Sequence, residues 1–267
     1  MLKFEGVDFF YGDKAVLKNF DFAAEENLAT CVLGPSGFGK TTLLSLASGL
    51  LKPGAGRVTP FSGGRRSFVF QEDRLLPWLT ARENLCAVGI DGAKAEEFLR
   101  KVGLGEAGEK HPDELSGGMK RRLSIARALA FGGDVFFLDE PLQGLDIKTS
   151  GEILSLIKSE IAGKSALIIT HSPAEAFALA DRIVLVGGSP LKVLSDFPRE
   201  SVKTDEELKN KLQELMYKNP PCSFEHGEFT FKYYTRPYFD ASSHSVRPRA
   251  WRAFACCQVS FMGSSLR

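Results

Sequence analysis

Short, continuous apolar runs recur through the middle of the chain, at residues 28–33 (Leu-Ala-Thr-Cys-Val-Leu), 135–138 (Val-Phe-Phe-Leu), 166–169 (Ala-Leu-Ile-Ile) and 182–186. Strands buried on both faces read this way, because neither face meets water. The N-terminus has a different pattern. Leu2, Phe4 and Val7 face one side and Lys3 and Glu5 the other, which predicts a half-buried strand over 2–9. A second strand-like run at 16–23 predicts that the two form a small antiparallel side sheet. Shorter strands are predicted at 57–61 and 67–70, and residues 71–79 read as a loop. A helix opens at 43–47. Others are predicted over 80–88, 92–102, about 115–129, 147–161, 173–180 and 204–216. Ile153, Ile157 and Ile161 recur at i, i+4 and i+8, one buried face of the fifth of these. Thr80 followed by Glu83 is a capping box at the start of the 80–88 helix. Strand and helix alternate from 28 to 186, a βαβ series that predicts an α/β fold with a mainly parallel sheet.

Between the strand at 28–33 and the helix that follows lies Gly34-Pro35-Ser36-Gly37-Phe38-Gly39-Lys40-Thr41-Thr42. This fits the phosphate-binding P-loop, G-x-x-x-x-G-K-[ST], in its required setting of strand, loop and helix. Glycines let the backbone curl so that N–H groups point at an anion. The helix N-terminus adds its positive end. Lys40 supplies a mobile charge for β- and γ-phosphates, and the Thr41 hydroxyl can ligate Mg²⁺.

Other residues acquire meaning from that loop. The apolar run 135–138 ends in Asp139-Glu140-Pro141, two carboxylates at a strand's C-terminal end, where open α/β sheets bind ligands. Asp139 there suits Mg²⁺, and Glu140 suits the orientation or deprotonation of a water molecule. His171 follows the run at 166–169 and faces the same crevice, although alone it reads as a structural histidine. Leu115-Ser116-Gly117-Gly118-Met119 opens a helix. By itself it is an ordinary N-cap with a glycine turn; it is also a second anion-binding helix end. Tyr11 alone reads as a packing residue; beside a P-loop it can stack on a nucleotide base.

Composition removes several classes. The 267 residues carry a net charge of +1, so no global field argues for nucleic acid. No apolar run reaches the length of a membrane span, and Met1-Leu2-Lys3-Phe4-Glu5 lacks a signal-peptide core. The expectation is a chain that stays in the cytoplasm and meets a membrane through a partner. Five scattered cysteines suit reduced thiols rather than a disulfide framework.

These motifs, in this order over about residues 2–216, resemble the ATP-binding cassette (ABC) superfamily of ATPases. The resemblance implies a P-loop NTPase core, an antiparallel side sheet and an inserted helical subdomain at about 78–130. It implies that Tyr11 stacks on adenine and that residues 34–42 are Walker A. Gln71 would touch Mg²⁺ and sense the membrane partner, and Val135 to Glu140 would be Walker B with its catalytic glutamate. Leu115 to Met119 would be the signature motif, Leu145-Asp146 the D-loop, and His171 the switch histidine at the γ-phosphate. The metal set is then Thr41, Gln71 and Asp139, with ATP and Mg²⁺ as cofactors. In this family the signature of one subunit caps ATP on the Walker A of another. One Walker A and one signature per chain therefore imply pairing with a second copy or a paralogue. The stretch from Phe70 to Thr80, and Met119 where most cassettes have glutamine, are similar to importers of nitrate, sulfonates and taurine. That implies a membrane permease, an indirect solute-binding protein and a place on the cytoplasmic face of the membrane. Phe38 departs from the usual small or polar Walker A residue. Segments 57–67 and 86–110 look short, so compact subdomains are expected.

Competing classes are an exporter ATPase, a cytosolic ABC protein of DNA repair or translation, and a module that holds ATP without turnover. The second usually carries two cassettes or long insertions, which the sequence lacks. Intact Glu140 and His171 oppose the third. From 217 to 267 the pattern changes to aromatics, Ser, Arg and Pro with little periodicity. That tail is expected to be disordered, an accessory module or an unnatural extension of the reading frame, and has no assigned role.

Overall fold

The computed structural model describes residues 1–218. A strand through Phe229, Phe231 and Tyr233, and the rest of the tail, lie outside the described residues. Four parallel strands, β3 (Ala29–Leu33), β6 (Val135–Asp139), β7 (Ser165–Thr170) and β8 (Arg182–Gly187), are buried along their length apart from Arg182. Their alternate residues serve two cores. Cys31, Leu33, Phe136, Leu138, Ile168 and Ile183 face one, Val32, Phe137, Leu167, Ile169 and Val184 the other. This double coverage is why the sequence shows continuous apolar runs there.

The first core is closed by helices α2 (Ala81–Cys86), α3 (Gly92–Lys101), α4 (Gly117–Phe131), α5 (Ile147–Ile161) and α6 (Pro173–Leu179). Ile153, Ile157 and Ile161 all reach it, as their spacing predicts. The second is closed by α1 (Lys40–Ala47) and by strands β1 (Leu2–Tyr11) and β2 (Lys14–Ala24). Those two strands pair with β4 (Ala55–Thr59) as an antiparallel sheet in the order β2-β1-β4. In β1, Gly6 at φ +55° and a register shift between Phe4 and Val7 insert one residue. That bulge keeps Val7 on the buried face with Leu2 and Phe4 despite the odd spacing.

Among the described residues the main sheet has six strands, ordered β5-β6-β7-β3-β8-β9, where β5 is Arg66–Val69 and β9 is Lys192–Pro198. All neighbours are parallel except β8 and β9. The sequence reading missed β9, an antiparallel edge strand whose residues are mostly exposed and which ends in Pro198. The last helix, α7 (Asp205–Lys218), continues past the expected boundary at 216, with Lys218 bonded back to Glu214 at 2.6 Å. The boundary therefore moves to the far side of Tyr217 and Lys218.

Candidate active site

β3, β6 and β7 lie side by side, so the segments that leave their C-terminal ends converge. The P-loop leaves β3. Its Gly34 lies so close to β8 that a Cβ would come within 2.4 Å of the Val186 carbonyl oxygen. Gly39 caps α1 at φ +94°, and a Cβ there would meet Val16 at 2.4 Å. A larger residue at either position would displace the loop from its neighbours. Phe38, the unusual Walker A residue, is buried in the second core and anchors the loop on β2 and α1. Lys40 is buried and donates to the Pro35 carbonyl at 2.8 Å.

Ser36 to Thr42 line a cleft of about 330 Å³ together with Tyr11, Lys14, Val16, Gln71 and Glu140. Its size falls in the range of small-molecule sites. Tyr11 is more than half exposed and sits edge-on to Phe9 with ring centroids 5.1 Å apart, which leaves a face free for stacking. Lys14 and Val16 are lining residues that no sequence motif marks. Thr42, the last of these lining residues, is buried.

Glu140 is the first residue after β6 and is held at φ +49°. A non-glycine residue there costs about 1–2 kcal/mol, and such strain persists where surrounding bonds fix it. The Glu140 N–H donates to Ile169 at 2.8 Å. Its Oε1 stands 4.0 Å from Lys40 Nζ, and its Oε2 lies 2.5 Å from His171 Nδ1. That hydrogen bond holds His171 above its usual pKa against a smaller opposing effect of burial. His171 is itself kept in place by its neighbours. Thr170 Oγ1 donates to Glu175 at 2.8 Å and accepts from the Ser172 N–H at 3.0 Å. Burial pushes Lys40 down, and attraction from Glu140 and then Asp139 pulls it back.

Asp139 is buried, and burial raises its pKa against a hydrogen bond with Thr41. Its Oδ1 has no hydrogen-bond partner. An orphaned carboxylate oxygen beside a threonine hydroxyl fits a divalent cation. No group of three His, Cys, Asp or Glu among the described residues could hold one. A cation here would therefore draw further ligands from Thr41, Gln71 and phosphate oxygens, as Mg²⁺ does.

The signature residues do not join this cluster. Ser116 is the N-cap of α4 and accepts from the Met119 N–H at 3.3 Å. Leu115 is buried, Gly117 opens on free space, and none of residues 115–119 lines the cleft. Gly118 packs beside Gly144 and Leu145. Asp146 caps α5, accepting from the Thr149 N–H at 3.0 Å. Besides Lys14 and Val16, sequence reasoning missed a buried residue beside the site. Arg121 of α4 is buried and reaches the loops of Gln71 and Glu140. The available signal was its place on the buried helix face, four residues before Ile125.

Residues 17–143 match the family described as ABC transporter. The taurine import ATP-binding protein TauB of Pseudomonas aeruginosa is 37% identical over 231 residues, covering 76% of this chain and 88% of that protein. The aliphatic sulfonates import ATP-binding protein SsuB 3 of Pseudomonas savastanoi pv. phaseolicola is 38% identical, covering 74% and 78%. The nitrate import ATP-binding protein NrtD of Synechococcus elongatus is also 38% identical, covering 71% and 78%. Among solved structures, a dimeric ATP-binding cassette in a post-hydrolysis state bound to ADP and Pi superposes with a TM-score of 0.67 at 28% identity. It covers 74% of this chain and 99% of that one. With P-loop, carboxylate and histidine gathered at one sheet edge, the chain belongs to the ABC transporter family and is one of its ATP-hydrolysing cassettes.

Proposed function

We propose that this chain energises uptake of a small solute through a membrane permease, working as a pair of cassettes that share two ATP molecules. The observation that carries the ATPase part is Glu140, held between Lys40 and His171 at the mouth of the P-loop cleft. In this reading the phosphates of ATP lie on the N–H groups of residues 34–42 and on Lys40. Thr41, Gln71 and Asp139 would hold Mg²⁺, which would supply positive charge against the β- and γ-phosphates. His171 Nδ1 occupies Oε2 of Glu140, and Oε1 remains for the attacking water. That oxygen takes a proton from water as the water oxygen attacks the γ-phosphorus. The bond from phosphorus to the β,γ-bridging oxygen breaks, and ADP leaves with the electron pair. Ser116 to Met119, set away from this cleft, are placed to cap the nucleotide of a partner cassette. The partner is a second copy or a paralogue.

Import rather than export is favoured by relatives named for taurine, sulfonate and nitrate import. No helix among the described residues is long and apolar enough to cross a membrane, so the permease supplies the path. Trp78, 70% exposed, stands on the loop that follows Gln71, the residue read as sensing the permease. The chain then works at the cytoplasmic face of the membrane, and the solute-binding protein acts through the permease.

The test is turnover and ATP affinity of Glu140→Gln, which keeps volume but loses the proton acceptor. Turnover should fall roughly 10²-fold or more, as for loss of a general base, with ATP affinity preserved. Turnover at the wild-type rate would remove Glu140 from the mechanism. In vesicles carrying the permease, ATP-dependent accumulation of taurine, an alkanesulfonate or nitrate is expected. Outward movement would overturn the direction.

A further inference from the structure

We infer that Arg121 is a positioning residue that fixes Glu140 for proton transfer and links it to the Gln71 loop and the signature helix. The inference rests on the reading of Glu140 as the base.

Arg121 stands on α4, five residues after the Ser116 cap, and only 4% of its surface is exposed. Its guanidinium donates in two directions. Toward the catalytic turn, Nη2 donates to the carbonyls of Asp139 at 3.0 Å and Glu140 at 2.6 Å, and Nε to that of Pro141 at 3.0 Å. Toward the other loop, Nη1 donates to the carbonyls of Phe70 at 2.6 Å and Gln71 at 3.3 Å. Asp73 Oδ1 lies at 3.4 Å from the same nitrogen. Three successive carbonyls can converge on one cation only if the chain curls. The curl occurs at Glu140, whose φ is +49°. Arg121 therefore supplies three of the bonds that hold that unfavourable backbone conformation, beside the Glu140 N–H bond to Ile169. Rotating the Glu140 backbone back to ordinary values would swing its side chain away from Lys40 and His171.

The geometry also specifies arginine. A planar fork with donors on three nitrogens can serve two loops at once, whereas lysine concentrates its donors on one atom. Because Arg121 is fixed to α4, the position of the signature helix sets the position of Glu140. Arg127 provides an internal comparison. It lies on the same helix and donates to the carbonyls of Asp73 at 3.1 Å and Arg74 at 2.9 Å. None of its hydrogen bonds goes to the turn of Glu140.

The experiment uses the full chain and five variants: Arg121→Gln, Arg121→Lys, Arg127→Gln, Glu140→Gln and the double variant Arg121→Gln/Glu140→Gln. It measures kcat and KM for ATP, the Kd of a fluorescent ATP analogue, and melting temperature. We expect kcat of Arg121→Gln to fall roughly tenfold or more, the scale of a misplaced catalytic group, with KM and Kd within about threefold. Arg121→Lys should recover only part of the loss, and it carries the test if the glutamine variant does not fold. Arg127→Gln should stay within about threefold of wild type in kcat. Arg121→Gln added to Glu140→Gln should slow the residual rate no further, because residues that act as a unit are non-additive. A wild-type kcat in Arg121→Gln would overturn the inference. So would a fall of kcat and melting temperature together with a matching rise of Kd, an equal loss in Arg127→Gln, or an additive double variant. If Glu140→Gln is inactive while Arg121→Gln is not, only the role of Arg121 fails. If Glu140→Gln turns over normally, the underlying reading fails first.

Discussion

His171 meets Glu140 at 2.5 Å, and this single contact gives the site a pH signature. The bond raises the His171 pKa, so the folded protein binds that proton more tightly than the unfolded chain does. The resulting stabilisation is fully present below the ordinary histidine value of about 6.5 and is lost as pH rises through the raised value. The gap in melting temperature between wild type and His171→Ala should be widest in mild acid and close at alkaline pH. A gap that widens with pH would show that the pair is not formed as described. Lys40 acts by charge. It is buried at the base of the cleft, and Lys40→Ala should lose most ATP affinity in a fluorescence binding assay. Unchanged binding would mean that nucleotide does not sit on this loop. Lys40 was legible because phosphate chemistry constrains the spacing of its loop, whereas His171 alone read as structural and took its role from the family resemblance. Arg121 was not legible, since an arginine in a helical run looks solvated until tertiary structure shows what it bonds.

Elements were legible where burial is one-sided or complete. The runs of β3, β6 and β7 and the isoleucine face of α5 declare themselves, and so does the Thr80–Glu83 capping box, which forms in full. β9 does not, because an exposed edge strand has no apolar period to read. Side-chain bonds from helix to loop are equally silent. Asn84 of α2 is fully buried. Its Oδ1 accepts from the Leu76 N–H at 2.8 Å, and its Nδ2 donates to the carbonyls of Leu76, Leu79 and Thr80 at 3.1, 3.0 and 3.0 Å. It thereby fixes the loop that presents Trp78. Asn84→Ala should cost about 2 kcal/mol in chemical denaturation, the scale of buried polar groups left unpaired. A cost near zero would mean that water or another side chain satisfies the loop.

At the scale of the whole molecule, every motif of the proposed chemistry lies within residues 11–171, and α7 ends the described fold at Lys218. A chain cut after Lys218 should hydrolyse ATP as the full chain does. A folded but inactive product would assign residues 219–267 to catalysis or its regulation. Ser116 stands apart from the cleft on its own chain, and in the proposed reading that makes the working unit a pair. In the proposed mechanism, Glu140→Gln removes the proton acceptor and also a negative charge beside the γ-phosphate, while Lys40, Thr41 and Asp139 remain. This variant should bind ATP, fail to hydrolyse it and accumulate in the closed pair. The decisive measurement is its molar mass by light-scattering chromatography, with ATP and with ADP. We expect twice the chain mass with ATP, one chain mass with ADP, and loss of the ATP-induced dimer when Ser116→Arg is added. An inactive, ATP-bound protein that remains a single chain, even with its permease present, would contradict the shared site.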